Sequence, residues 1–219
     1  MSRGLGDVYK RQVYDPLGVG YDDLQLKFVN FVGAPSKRIE EDYLRILRFF
    51  RFHAIYGSDV MDPRALKACG AAAEKISTLS KERISQEFYK ICASKRFVSI
   101  LRIMFENNVL SDFFLSDSQV GNLEHFCEFQ DRYGLASLAS RLFVLADLKR
   151  ENINKFSDLL IYPKVFLKDM DAFDKALALA NLDNEQAVRA AVYKYGRTAA
   201  AQALICLLYT SPSPRDTPQ

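Results

Sequence analysis

The 219-residue chain carries 30 Lys+Arg against 27 Asp+Glu, a net charge of +3, with 49% hydrophobic and 26% charged residues. This composition excludes wholesale disorder, and +3 is too small to argue by itself for a nucleic-acid partner. No apolar run reaches the roughly 18–20 residues of a membrane span, and the polar stretch from Met1 to Gln12 lacks the apolar core of a secretory signal, so no membrane partner is expected.

Gly and Pro are scarce, at 10 and 7, which favours long helices over a turn-rich β fold. In chain order, a turn-rich DPLGVGYDD precedes LQLKFVNFVG, the one β-rich run; it predicts a strand at about 24–33 that ends at Gly33. Ala34, Pro35 and Ser36 then open a long helix. From Lys37 to Tyr56 its apolar set is too wide for a simple amphipathic stripe, so the helix is expected to be buried on more than one side. Gly57 and Ser58 end it. Asp62-Pro63 reads as N-cap and N1 of the next helix, which runs through AAAEKI, and Ser80 caps another, with Glu82 in its first turn.

Further helices are expected at 95–107, 117–132, 135–150, 168–181 and 184–203, with a connector at 154–165 that holds a short helix at 155–161. The fold class is therefore mainly α. Asp169-Met170-Asp171 is the one D-x-D and reads as acids at a helix start rather than as a metal site. Gly18-Val19-Gly20 reads as a turn, because no βαβ unit surrounds it. Cys69, Cys92, Cys127 and Cys206 form no C-x-x-C, and with only His53 and His125 beside them they read as free thiols in a reducing cytoplasm.

The sharpest pattern is RIEEDYLRILRFFRF, Arg38 to Phe52. Glu41 and Arg45 are four apart and Asp42 and Arg45 three apart, so one continuous helix brings all three to one face. Arg48 and Arg51 follow at three-residue steps, each rotated back by about 60°, so the arginines fan across one side. Such spacings are frequent on solvated helices, where each pair stabilises by only a few tenths of a kcal/mol. A basic fan set in aromatic surface is a different matter, because it aims guanidinium groups at an anion or a planar polar ligand.

Three ordered stretches resemble the bacterial CCA tRNA nucleotidyltransferase and poly(A) polymerase family. The first is the D-P-x-G-G-x-x-D-L turn (Asp15, Pro16, Gly18, Asp23, Leu24). The second is the E-D-x-x-R helix (Glu41, Asp42, Arg45, extended by Arg48 and Arg51). The third is the S-x-E-R-I-x-x-E helix (Ser80, Glu82, Arg83, Ile84, Glu87). The match is close over about 13–92 and weaker over 93–205. The turn departs from the family pattern by one extra residue, and Ala34 stands where an acid is usual.

The resemblance implies a remnant of the nucleotidyltransferase head (13–35), a neck with the base-recognition helix (36–94), and an all-helical, tRNA-binding body and tail (95–205). SRGLGDVYKRQ and CLLYTSPSPRD resemble translated sequencing-adapter frames, so 1–12 and 206–219 are expected to be non-native. These ends hold Arg3, Lys10, Arg11 and Arg215 against Asp7 and Asp216, and so supply two of the three net positive charges.

The function implied is that of the C-terminal part of a template-independent enzyme that adds C, C and A to the tRNA 3′ end from CTP and ATP. A poly(A) polymerase of the same family and a non-catalytic helical RNA-binding module are the alternatives. Asp42 and Arg45 are expected to read the base, Glu41 to hold Arg45, Arg48 and Arg51 to contact the nucleotide, and Arg83 and Glu87 to support the helix. The acceptor arm of tRNA is the expected partner. Magnesium serves the whole enzyme, with its carboxylates expected upstream, so this segment alone is expected to be inactive.

Overall fold

The computed structural model describes residues 6–7, 12–13, 15, 18–58, 60–109 and 117–210. The first and last expected non-native stretches lie outside these residues except at 6–7, 12 and 206–210. A minimal antiparallel pairing of β1 (Gly6–Asp7) with β2 (Gln12–Val13) is followed by eleven α-helices among the described residues. These are α1 (Gly20–Gln25), α2 (Pro35–Glu41), α3 (Leu44–Tyr56), α4 (Pro63–Ala71), α5 (Lys81–Cys92), α6 (Phe97–Glu106), α7 (Asp117–Tyr133), α8 (Leu138–Leu145), α9 (Arg150–Phe156), α10 (Lys164–Leu179) and α11 (Glu185–Thr210).

The mainly α expectation holds, but the strand expected at 24–33 is absent. Asp15 explains the start: its carboxylate accepts from the Gly18 and Tyr21 N–H groups and caps α1. Lys27, at φ 52, then turns the chain. No described strand lies beside Phe28–Val32 to complete a ladder, and a lone strand leaves its backbone groups unpaired. The segment is held by side chains instead. Phe31 stacks on Phe49 at 5.2 Å, and the Val29 carbonyl lies 3.3 Å from His53 Nε2.

The single helix expected from Lys37 to Tyr56 is two helices. Asp42 is extended (φ −161, ψ 108), so α2 stops at Glu41, and the Asp42 carboxylate accepts from the Leu44 N–H at the start of α3. Aspartate competes with helical hydrogen bonding in this way wherever its short side chain reaches a free N–H. α3 is buried as its composition demands: Ile46, Leu47 and Phe50 are at most 2% exposed. Each contributes about 1.5–3 kcal/mol of apolar burial. It packs on α5 and α6, while α7, α8, α10 and α11 close the second half.

Smaller differences have local causes. The stretch after α4 tightens into a 3₁₀ turn, Ala73–Thr78, and Ser80 holds the N-cap position of α5 without a side-chain capping bond. Asp62 does cap α4, accepting from the Arg64 N–H. The expected helix at 135–150 is α8 alone, the short helix expected at 155–161 is α9 at Arg150–Phe156, and α10 begins at Lys164. The D-x-D acids therefore lie inside a helix, not at its start, and Asp171 pairs with Arg150 and Lys175.

Gly57 ends α3 at φ −73, so it is not there for left-handed geometry. It is there for space: an added Cβ would meet His53 Nδ1 and sit 2.8 Å from His53 Cα. Arg96 then covers the exposed end of α3, donating to the carbonyls of His53, Gly57 and Ser58. A guanidinium at a helix C-terminus also offsets the partial negative charge there.

All four cysteines are buried free thiols, and burial pushes Cys69 and Cys127 up to about 12, so neither is a nucleophile at neutral pH. No helix among the described residues is long and apolar enough to cross a membrane.

His53 is fully buried, and burial is the first cause that lowers its pKa to about 4, with the Arg96 charge adding to it. The unfolded imidazole, near 6.5, binds a proton that the folded one refuses. The stability it carries is present above pH 6.5 and is lost as pH falls towards 4. Urea unfolding between pH 7.5 and 5 is expected to show falling stability, by on the order of 2 kcal/mol. His53→Gln should flatten that slope whatever it does to the absolute level.

Candidate nucleotide site

The break at Asp42 decides which charges meet. Arg45, one residue into α3, reaches back: Nη1 donates to Glu41 Oε2 at 2.6 Å and to the Arg38 carbonyl at 2.8 Å. Arg38 joins them, with Nη1 at 3.0 Å from Glu41 Oε1 and Nε donating to the Val32 carbonyl at 2.8 Å. Glu41 thus sits between two guanidinium groups, and their hydrogen bonds, Arg45 first, hold its carboxyl below the usual carboxylate range. Arg38 was not among the residues singled out from the sequence. Its signal was present at three residues before Glu41, but it was absorbed in the charge run KRIEED.

Asp42 does not pair with Arg45. Freed from the helix, it accepts two bonds from Arg83 Nη2, at 3.1 and 2.9 Å, across to α5. Glu87, one turn further along α5 and only 6% exposed, faces Arg51 instead, with Nε 2.6 Å from Oε2. The angle is too bent for an aligned hydrogen bond, so this contact is an ion pair. Arg48 and Lys90 approach the other Glu87 oxygen at 3.9 and 3.6 Å. Arg83 and Glu87 therefore brace the first helix across the interface rather than bonding to each other along α5.

A cleft of about 310 Å³ opens beside these residues, lined by Val29–Val32, Arg38, Arg45, Arg48, Phe49 and Phe52. One wall is the irregular segment that was expected to be a strand, and the other is α3. The cleft combines the guanidinium groups of Arg38, Arg45 and Arg48 with the aromatic side chains of Phe31, Phe49 and Phe52, a lining that suits a planar heterocycle carrying phosphate. Of the residues expected at the site, Arg45 and Arg48 line the cleft. Glu41 and Asp42 stand behind and beside it. Arg51 turns away to Glu87, and its guanidinium carbon lies 4.2 Å from the Phe52 ring centre. The aromatic wall was legible as apolar residues in the helix, whereas Asn30 and Phe31 were masked by their strand-like composition.

Glu87 is the member whose loss should be felt in stability. Removing a buried carboxylate leaves the Arg51 guanidinium, 17% exposed, without its partner. Glu87→Ala is expected to cost about 3 kcal/mol in urea unfolding. Glu41→Gln, at an exposed pair, should change unfolding by less than about 1 kcal/mol.

Residues 60–116 match the family described as "Probable RNA and SrmB-binding site of polymerase A". Human mitochondrial CCA tRNA nucleotidyltransferase 1 is 40% identical over 95 residues, which is 41% of this chain and 21% of the relative. The mouse protein of the same name is 38% identical over 112 residues, 49% of this chain and 25% of the relative. The CCA-adding enzyme of Streptococcus gordonii is 30% identical over 140 residues, 63% of this chain and 34% of the relative. The chain thus spans between about a fifth and a third of the length of these relatives. Two independent likenesses, one of the helical segment after α3 and one to CCA-adding enzymes from a bacterium and from mammals, agree with the three ordered motifs. Over these parts of its length the chain is similar to CCA tRNA nucleotidyltransferases and to the RNA-binding segment of polymerase A.

Proposed function

We propose that the cleft binds an incoming nucleotide and that this chain is the base-selecting, RNA-binding part of an enzyme that adds C, C and A to tRNA from CTP and ATP. The observation that carries this reading is the cleft itself, lined by three arginines and three phenylalanines, with Arg45 held by Glu41. Cytosine and adenine share one edge, an exocyclic amine that donates beside a ring nitrogen that accepts. In this proposal the Asp42 carboxylate takes the amine and the Arg45 guanidinium serves the ring nitrogen. Arg83 holds Asp42 and Glu41 holds Arg45, so neither has to be ordered on binding. Guanine and uracil present a carbonyl and an N–H at those places. Each mismatch leaves polar groups unpaired at a cost of about 1–3 kcal/mol.

Arg48 and Arg38 are assigned to the phosphates, and Arg51 to orienting Phe52 and anchoring α3 through Glu87. The acceptor arm of tRNA is the proposed partner of the helices from α6 onward. The cytoplasm, a reducing compartment, suits the four free thiols.

Magnesium does not fit this site. The carboxylates beside the cleft are each held by an arginine, and among the described residues no three His, Cys, Asp or Glu converge. The chemistry assigned to the cleft is therefore base selection, with phosphoryl transfer left to other residues of the enzyme.

A second reading, a poly(A) polymerase, is favoured by the description of the family matched at 60–116. An enzyme carrying this segment and offered both CTP and ATP should add both under the first reading and A alone under the second. Calorimetric titration of this chain is expected to show CTP and ATP binding about tenfold more tightly than GTP and UTP. Asp42→Ala and Arg45→Ala should erase the difference. Equal affinity of the parent chain for all four nucleotides would remove the base-edge reading.

A further inference from the structure

We propose that the cavity between α8, α10 and α11 is a binding site for a small hydroxylated amine. Its ammonium group meets Asp169, and its hydroxyl oxygens take hydrogen bonds from Gln202 and from the Ser137–Ser140 pair. The cavity holds about 240 Å³ and is lined by residues of these three helices and by Ser137, the N-cap of α8. It shares no lining residue with the α3 cleft and stands apart from the nucleotide reading above.

The donors are oriented from inside the fold. Arg141, 4% exposed, donates from Nε to Gln130 Oε1 at 2.7 Å. A guanidinium can only donate, so that oxygen is fixed and the Gln130 amide nitrogen faces the other way. This nitrogen donates to Gln202 Oε1 at 2.6 Å, which fixes the Gln202 amide in turn. Of the two N–H groups on Gln202 Nε2, one goes to the Leu135 carbonyl. The second has no acceptor among the described residues, although Gln202 is 1% exposed and lines the cavity. A buried donor without a partner is costly, and a ligand oxygen in the cavity would supply one. The Ser137 and Ser140 hydroxyls, 3.0 Å apart, also line the cavity. One hydroxyl proton joins them, and the other has no acceptor among the described residues.

Charge selects the amine. Asp169, Asp171 and Asp174 all lie on α10. Asp171 is held by Arg150 and Lys175, and Asp174 by Arg150. Asp169 lines the cavity instead, with no cation within ion-pair distance among the described residues, and no described Lys or Arg lines the cavity with it. It is exposed, so its charge stays hydrated until a ligand arrives. An ammonium group is attracted there, whereas a carboxylate or phosphate would meet like charge with no cation to offset it. Phe173 and Tyr195 add aromatic surface to the lining, which suits a cation on a short carbon frame.

Serinol, glycerol and isopropylamine share one carbon frame and separate the two features, because glycerol lacks the ammonium group and isopropylamine lacks the hydroxyls. Each is titrated into the full chain at neutral pH, with binding followed by NMR at the Gln202 side-chain amide. Serinol is expected to shift these signals and to bind about tenfold more tightly than either of the others. Asp169→Asn, at an exposed position, is expected to remove the advantage over glycerol. Asp171→Asn takes the same charge from the same helix without touching the cavity lining, and should leave serinol affinity at the parent level. Failure of serinol to bind, or equal affinity for serinol and either of the other two, overturns the proposal. So does serinol binding that leaves the Gln202 signals in place, or that Asp171→Asn weakens as much as Asp169→Asn.

Discussion

Two ion pairs cross from α3 and its approach to α5, Asp42 with Arg83 and Arg51 with Glu87, and the geometry of the candidate site depends on them. They join α5 both to the residue just before α3 and to Arg51 within it, and so tie the approach and the body of α3 to one neighbour. The inner pair is nearly dry and the outer one half-exposed, and this difference separates their roles. Breaking the Glu87 pair strands a charge, whereas the Asp42 pair can exchange a partner for a ligand at modest cost. Asp42 is oriented by Arg83 and Arg45 by Glu41, so both side chains are held within the protein itself.

The pocket wall opposite α3 is coupled to the same frame. Val29 and Phe31 lean on His53 and Phe49, Gly57 leaves room for His53, and Arg96 closes the end of the helix. A segment without regular hydrogen bonding is thus held by side chains from the helix it faces. The second half of the chain adds a smaller cavity, lined by the Asp169 carboxylate and the buried Gln202 amide.

Much of this was legible in the residues. Pro35, Asp62-Pro63 and the apolar spacing of α3, α5 and α10 mark helices because capping, fixed φ and periodic burial are local effects. The charged residues of the site were also legible as a group. Glu41, Asp42 and Arg45, with Arg83 and Glu87 further on, are types and spacings that local rules bring close together. The partners were not legible. Spacing alone pairs Asp42 with Arg45, and the pairing fails because Asp42 leaves the helix to cap the next one and meets an arginine 41 residues away. The β-rich composition of 24–33 misled for a related reason: a strand needs a neighbour, and no propensity supplies one.

The sequence by itself determined a mainly helical chain, its helix starts and the set of charged residues around α3, because these follow from backbone sterics and from which side chains can be buried. Only the tertiary structure decided that α2 and α3 are separate, that Arg51 faces Glu87 rather than the cleft, and that Arg38 and Phe31 line it. Those outcomes depend on contacts between residues far apart in the chain. There the cost of burying an unpaired charge outweighs the few tenths of a kcal/mol available from any neighbour along one helix.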